Sequence, residues 1–163
     1  MEILNDFSTS VHKALEEIDP RYMDYDGLVI CGTHAPHNTE MMIKKIQEAR
    51  ENKRPFYSEC FGHQLACIEW ARNIMGIKDA TSEEFGTGTL VVKKRPKMKV
   101  GFQDGESWWS NYEVIAGVEE DFVKRRPSYF FTAPFHPSYQ SSIKKPHPLL
   151  VSFLEVCRQR QSV

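Results

Sequence analysis

The stretch Pro55-Phe56-Tyr57-Ser58-Glu59-Cys60-Phe61-Gly62-His63-Gln64-Leu65-Ala66-Cys67-Ile68-Glu69-Trp70-Ala71-Arg72-Asn73 decides the fold. It begins as a buried strand and ends as an amphipathic helix. Nothing resembling a loop separates the two; a cysteine, an aromatic residue and a glycine make the whole corner. Free cysteine is ordinarily a small buried hydrophobe. A thiol on the sharpest corner of the chain therefore asks for a chemical reason.

Upstream, Tyr25-Asp26-Gly27 reads as a turn into Leu28-Val29-Ile30-Cys31, a continuous apolar run of the kind found in a parallel strand covered on both faces. Gly32 closes that strand. After the polar segment Thr33 to Asn38, Met42, Ile43, Ile46 and Ala49 recur at helical spacing and predict a helix over 39–52. Farther back, Glu2 to Leu4 reads as a short strand. Ser8 or Ser10 is the expected cap of a helix through Val11, Ala14, Leu15 and Ile18 that Pro20 ends. Downstream, the helix from Gln64 to Met75 stops at Gly76. Strands are then expected at Thr87 to Lys93, at Met98 to Phe102 before the turn Gln103-Asp104-Gly105, and at Ser128 to Phe135. A last helix runs from Leu149 to Arg158. Alternating strands and helices mean a parallel sheet with right-handed crossovers, hence a three-layer α/β/α fold, followed by a small antiparallel β extension.

The 163 residues, 40% of them hydrophobic, suit one domain spanning 1–163 with a real core. With 21 basic and 22 acidic residues the formal net charge is -1, so no bulk field draws the chain to nucleic acid or an anionic membrane. No apolar run is long enough to cross a bilayer and the first residues lack a signal-peptide pattern, so a cytoplasmic location is expected. Cys31, Cys60, Cys67 and Cys157 form neither a disulfide framework nor a zinc motif, and no metal or cofactor is expected. His34, His37 and His63 are candidates to line the same mouth as Cys60, but their spacing matches no standard ligand pattern.

In an open parallel sheet, ligands gather at the carboxyl ends of the strands. Cys60 stands at such an end, with Gly62 two residues on to admit a helix closely. This is the pattern of a nucleophile elbow, which projects its side chain into solvent at a helix N-terminus, where the dipole favours a thiolate. Cys31, Cys67 and Cys157 sit instead on apolar faces and read as core.

Cys60-Phe61-Gly62-His63-Gln64 resembles the nucleophile motif of class I, triad-type glutamine amidotransferases. The segments beyond it, Ile68 to Asn73 and Ala80-Thr81-Ser82-Glu83-Glu84-Phe85, are similar to the glutaminase domain of CTP synthase. Tyr25 to Val29, Ala49 to Asn52, Tyr112-Glu113-Val114 and Phe135-His136-Pro137 fit that domain too. The resemblance implies a flavodoxin-like fold, Cys60 as the nucleophile on a γ-glutamyl amide, and His136 as general base and acid. It also implies an oxyanion hole from the Phe61 N–H and the Gly32-Thr33 turn, and a glutamine held by Gln64 and Glu84. The partners implied are a small amide substrate and a separate synthetase or other acceptor of ammonia, with homo-oligomerisation open.

Three departures from the family pattern bear on catalysis. The family's His-Pro-Glu reads His136-Pro137-Ser138, so Ser138, or a carboxylate from elsewhere, has to orient the imidazole. The arginine that grips the substrate carboxylate gives way to Trp108-Trp109-Ser110-Asn111, which leaves Asn111 a neutral hydrogen bond. Pro-Gly-Gly reads Cys31-Gly32-Thr33, and Ser58 stands where glycine is usual. The chain is also short for the family, with an edge strand missing. Two alternatives to a glutaminase stay open: a lapsed enzyme kept as a binding module, and a cysteine hydrolase with another substrate. Trp108-Trp109 is either an aromatic platform or one buried ring beside one rim ring. Lys93-Lys94-Arg95 and Lys124-Arg125-Arg126 read as solvated turns.

Overall fold

Leu28, Val29 and Ile30 have no exposed surface, and neither do Phe56 and Tyr57, so their strands need cover on both faces. The computed structural model, which describes residues 1–33, 35–95 and 111–161, supplies it. The chain runs through β1 (Glu2–Leu4), α1 (Ser10–Ile18), β2 (Leu28–Ile30), α2 (Thr39–Glu51), β3 (Phe56–Glu59), α3 (Phe61–Asn73), β4 (Ala80–Ser82) and β5 (Thr89–Lys94). It continues through β6 (Tyr112–Val114), α4 (Ala116–Arg125), β7 (Phe130–Ala133), α5 (Pro137–Gln140) and α6 (Pro148–Gln161). The first sheet is all parallel, in the order β1-β2-β3-β7. Strand alternation sends Leu28, Ile30 and Phe56 to one core with Ile43, Ile46, Leu65 and Phe122, and Val29 and Tyr57 to the other with Val11, Leu15, Phe153 and Leu154. One face thus carries α2, α3 and α4, the other α1 and α6. This is the expected three-layer α/β fold.

The β extension is mixed: β4 pairs β5 in parallel and β5 pairs β6 antiparallel. The expected strand at Met98 to Phe102, the turn Gln103-Asp104-Gly105 and the pair Trp108-Trp109 lie outside the described residues, as does His34. The strand expected at Thr87 to Lys93 is Thr89–Lys94, so Lys93 and Lys94 belong to a strand, and Arg95 beyond it pairs with Glu113 at 3.2 Å.

Three further expectations are corrected. The helix after the corner, α3, is not amphipathic: every residue from Phe61 to Ala71 is buried. It lies between the two sheets, with α2 and α4 at its sides, so no face is left for solvent. Its buried Glu69 is answered by Arg50 of α2, whose Nη2 and Nε reach Oε1 at 2.8 and 3.0 Å. Second, α4 does not stand out in the sequence, because only Val118 and Phe122 bury and that stripe is too narrow to show as a period. Lys124 and Arg125 are its last turn, where cations suit the helix dipole, and Arg125 folds back on Asp121 at 2.7 Å. Third, neither Ser8 nor Ser10 caps α1. The chain turns through Thr9 at φ 57, and the Asp6 carboxylate accepts the Val11 and His12 N–H groups at 3.3 and 2.8 Å. Among the described residues no helix is long and apolar enough to cross a membrane.

Candidate active site

β3 passes into α3 through Cys60 alone, and Cys60 takes φ 51 and ψ -108, a strained conformation for a residue with a Cβ. The elbow is held at both ends. The Cys60 N–H donates to the Ala133 carbonyl of β7 at 2.9 Å, and the Cys60 carbonyl accepts the Gln64 N–H at 3.2 Å. Gly62 makes the tight turn feasible, since a Cβ there would sit 2.2 Å from the Ile30 carbonyl oxygen and 2.8 Å from Ser58 Cβ. The expectation of a thiol thrust into solvent is corrected: Cys60 is only 6% exposed. Gly32 and His136 pack against the corner.

His136 leaves the end of β7 as the residue before α5, with Pro137 at the first helical position, where proline is favoured. Its ring is fixed on three sides. Nδ1 lies 3.2 Å from Glu59 Oε2, Tyr139 stacks on its face at 4.5 Å with planes 5° apart, and a Cβ on Gly32 would come within 2.9 Å of Cε1 and 3.2 Å of Cys60 Cβ. With Nδ1 turned to Glu59, Nε2 faces the thiol, to which the ring is hydrogen-bonded. Burial opposes the charged ring, but the hydrogen bonds to Cys60 and Glu59 and the charges of both outweigh it and raise His136 to about 9. The pair is built to carry an imidazolium beside the sulfur.

Ser138 does not stand behind the ring as a substitute for the missing glutamate; its N–H and hydroxyl go to Glu59, at 2.7 and 2.9 Å. Glu59, fully buried, is the residue behind the ring that sequence reasoning missed. A signal existed: it is a carboxylate at the end of a strand otherwise buried on both faces, directly before the corner cysteine. Tyr139 escapes sequence reasoning too, since an aromatic residue half exposed after a proline carries no distinctive pattern.

The other expected residues fall into two groups. Gly32 and Phe61 touch the corner, and the Phe61 N–H, first in α3, has no acceptor within its own helix. Thr33 follows Gly32 and is not among the non-glycine residues at positive φ; its hydroxyl accepts the Ala35 N–H at 3.1 Å. Gln64 is buried in the first turn of α3, and its Nε2 donates to the Tyr112 carbonyl at 3.4 Å, which ties the corner to β6 beside the exposed Asn111. Glu84 follows β4, next to Phe85, whose ring meets that of Phe61 edge-on at 6.0 Å. Burial raises its carboxyl above the usual range. His63 is corrected: it is 1% exposed, with Thr132 at Nδ1 and Glu119 at Nε2, and lines no mouth. His37 turns to the Ala35 carbonyl at 3.1 Å. Cys31, Cys67 and Cys157 are all buried, and burial pushes each thiol up, Cys157 to about 12. Among the described residues, Cys60 alone meets an imidazole at a strand end.

A strained cysteine between a parallel strand and a helix, paired with an imidazole from the neighbouring strand, defines an α/β protein of the nucleophile-elbow kind. The family model described as "Glutamine amidotransferase class-I" matches residues 5–156, and the chain belongs to that family. It is 32% identical over 186 residues to the CTP synthase of Methanoculleus marisnigri, covering 85% of this chain and 35% of that one. To the CTP synthase of Methanoregula boonei it is 34% identical over 181 residues, covering 83% and 34%. It spans about a third of the length of these relatives. Among solved structures, the glutaminase domain of Trypanosoma brucei CTPS with bound acivicin superposes with a TM-score of 0.73 at 20% identity, covering 98% of this chain and 94% of that one.

Proposed function

We propose that this chain cleaves the side-chain amide of glutamine, or of a closely related small amide, through a thioester on Cys60. The observation that carries the reading is the Cys60–His136 pair at the carboxyl end of the parallel sheet, with the cysteine at positive φ. The thiolate adds to the amide carbonyl carbon, and the N–H groups of Phe61 and of the Gly32-Thr33 turn take the developing oxyanion. His136 Nε2 gives its proton to the departing nitrogen, which leaves as ammonia. Water then attacks the thioester, with Nε2 receiving its proton, and glutamate is released. Gln64, Glu84 and Asn111 are the groups proposed to hold the substrate, Ser138 supports the site through Glu59, and a synthetase is the proposed acceptor of the ammonia. The cytoplasm is the setting that suits four reduced cysteines.

Asn111, where the family has an arginine, favours a second reading in which the substrate is an amide other than glutamine. One experiment separates these. Purified protein is incubated with glutamine, then with γ-glutamyl amides and short aliphatic amides, while ammonia and free acid are followed, with Cys60→Ala as the blank. Release from glutamine above the blank supports the first reading, and release only from another amide supports the second. Equal background throughout, together with no trapping of Cys60 by a glutamine-like chloroketone, ends both and leaves a binding module.

A further inference from the structure

We infer that Glu59 is the acid that orients His136, so that this site carries its third member directly before the nucleophile, and that Ser138, at the place where the family has that acid, has become the group that holds it. The inference rests on Cys60 and His136 being the reacting pair. Glu59 shares the sheet face of Tyr57, the face that looks toward α1 and α6, and the exit of β7 brings residues 136–138 to the same end. Four donors converge on its carboxylate. Oε1 takes the Tyr57 hydroxyl at 2.6 Å and the Ser138 N–H at 2.7 Å. Oε2 takes the Ser138 hydroxyl at 2.9 Å and faces His136 Nδ1 at 3.2 Å. Such a set suits an acceptor-only, ionised group. A carboxylate without exposed surface is costly to bury unless it is paired, and the imidazolium is the cation it meets.

A purely structural role would be to pin α5 to β3, which Oε1 does alone through the Ser138 N–H. The second oxygen is the informative one, because it fixes Nδ1 and so assigns Nε2 to the thiol. Ser138 also lies 3.1 Å from Ser10 Oγ, which is 2.9 Å from Ser8 Oγ. Ser138 has one hydroxyl proton, and of its two acceptors, Ser10 Oγ and the Glu59 carboxylate, the carboxylate is the charged and nearer one. Glu59 thus stands behind the ring, and Ser138, at the position of the family's glutamate, binds it there.

The test combines kinetics with a reading of the imidazole that needs no substrate. Glu59→Gln, nearly isosteric, should lower kcat on glutamine by about 10²–10⁴-fold with KM changed less than about threefold. In the same variant the His136 ring, followed by NMR, should titrate well below the parent's value of about 9. The exchanged pair Glu59→Ser with Ser138→Glu should recover at least about tenfold over Glu59→Ser alone, and Ser138→Ala should lose less than about tenfold. The inference is overturned by a Glu59→Gln protein within about threefold of the parent kcat with His136 titrating unchanged, or by Ser138→Ala losing as much as Glu59→Gln. Should Glu59→Gln not fold, the exchanged pair and Ser138→Ala decide alone. Should the parent release no ammonia from glutamine, the functional reading fails, and the His136 titration still decides the place of Glu59.

Discussion

At the scale of the residue, the site is an exchange of charges confined to three side chains. Cys60, His136 and Glu59 depend on one another, because the part-buried ring keeps its proton only while the thiol and the carboxylate face it. This has a consequence for stability. The folded value of His136, about 9, lies above the ordinary imidazole value of 6.5, so its contribution is fully present below about pH 6.5 and is lost as pH rises through 9. The unfolding free energy from urea melts should fall by about 2–3 kcal/mol more between pH 6.5 and 9 in the parent than in His136→Gln. Equal slopes would show that the ring is not held in its charged form. Cys60 was legible in the sequence, since a cysteine at a strand-to-helix corner is a local pattern, and His136 was reached through the family resemblance of Phe135-His136-Pro137. The partner of Nδ1 was not. Residues 59 and 136 are 77 positions apart and meet only because β3 and β7 are neighbours.

At the scale of the element, α3 is the pivot. It carries the corner cysteine at its start, and its burial on every side makes its polar residues dependent on partners from other elements. Glu69 has no exposed surface, and Arg50 reaches it from α2 in a two-nitrogen clasp while Asn73 adds a bond at 3.2 Å. Arg50→Met should leave that carboxylate buried with its charge unmatched, at a cost of about 3–5 kcal/mol in urea unfolding. Replacing both residues, Arg50→Met with Glu69→Leu, should recover most of the loss, since a buried ion pair is worth little more than the apolar pair it displaces. A single variant as stable as the parent would mean that water reaches Glu69. Periodicity expects a helix from Gln64 to Met75 where α3 runs Phe61–Asn73, and it misjudges the helix's character. Helical spacing says nothing of Arg50 meeting Glu69, and their complementarity is visible only once the two helices are packed together.

At the scale of the whole molecule, the two ends of the chain are tied together on the face opposite α3. Asp19, at the end of α1, accepts the Tyr25 hydroxyl at 2.6 Å, the Arg21 N–H at 2.9 Å and the Arg158 guanidinium of α6 at 2.8 Å. The Tyr25 and Arg21 hydrogen bonds, with Arg158 and against burial, lower its carboxyl to about 2. Because that is below the ordinary aspartate value of 3.8, the contribution is present above about pH 3.8 and is lost as pH falls through 2. Asp19→Asn should flatten the acid limb of the stability profile between pH 4 and 2 while leaving neutral activity unchanged. An acid limb as steep as the parent's would place the sensitivity elsewhere.

The pairing of Cys60 with His136 came from the family resemblance; from the spacing of the residues themselves came the alternation of strand and helix, the parallel sheet and the corner at Cys60. Each of these is set by short-range periodicity or by a local turn that only certain residues tolerate. Tertiary structure alone decided that α3 is enclosed by a second sheet, that His63 turns inward to Glu119, and that Glu59 lies behind the imidazole. Those outcomes depend on which strands become neighbours and which buried charges must then find a partner, and neither condition is written in the spacing of residues along one segment.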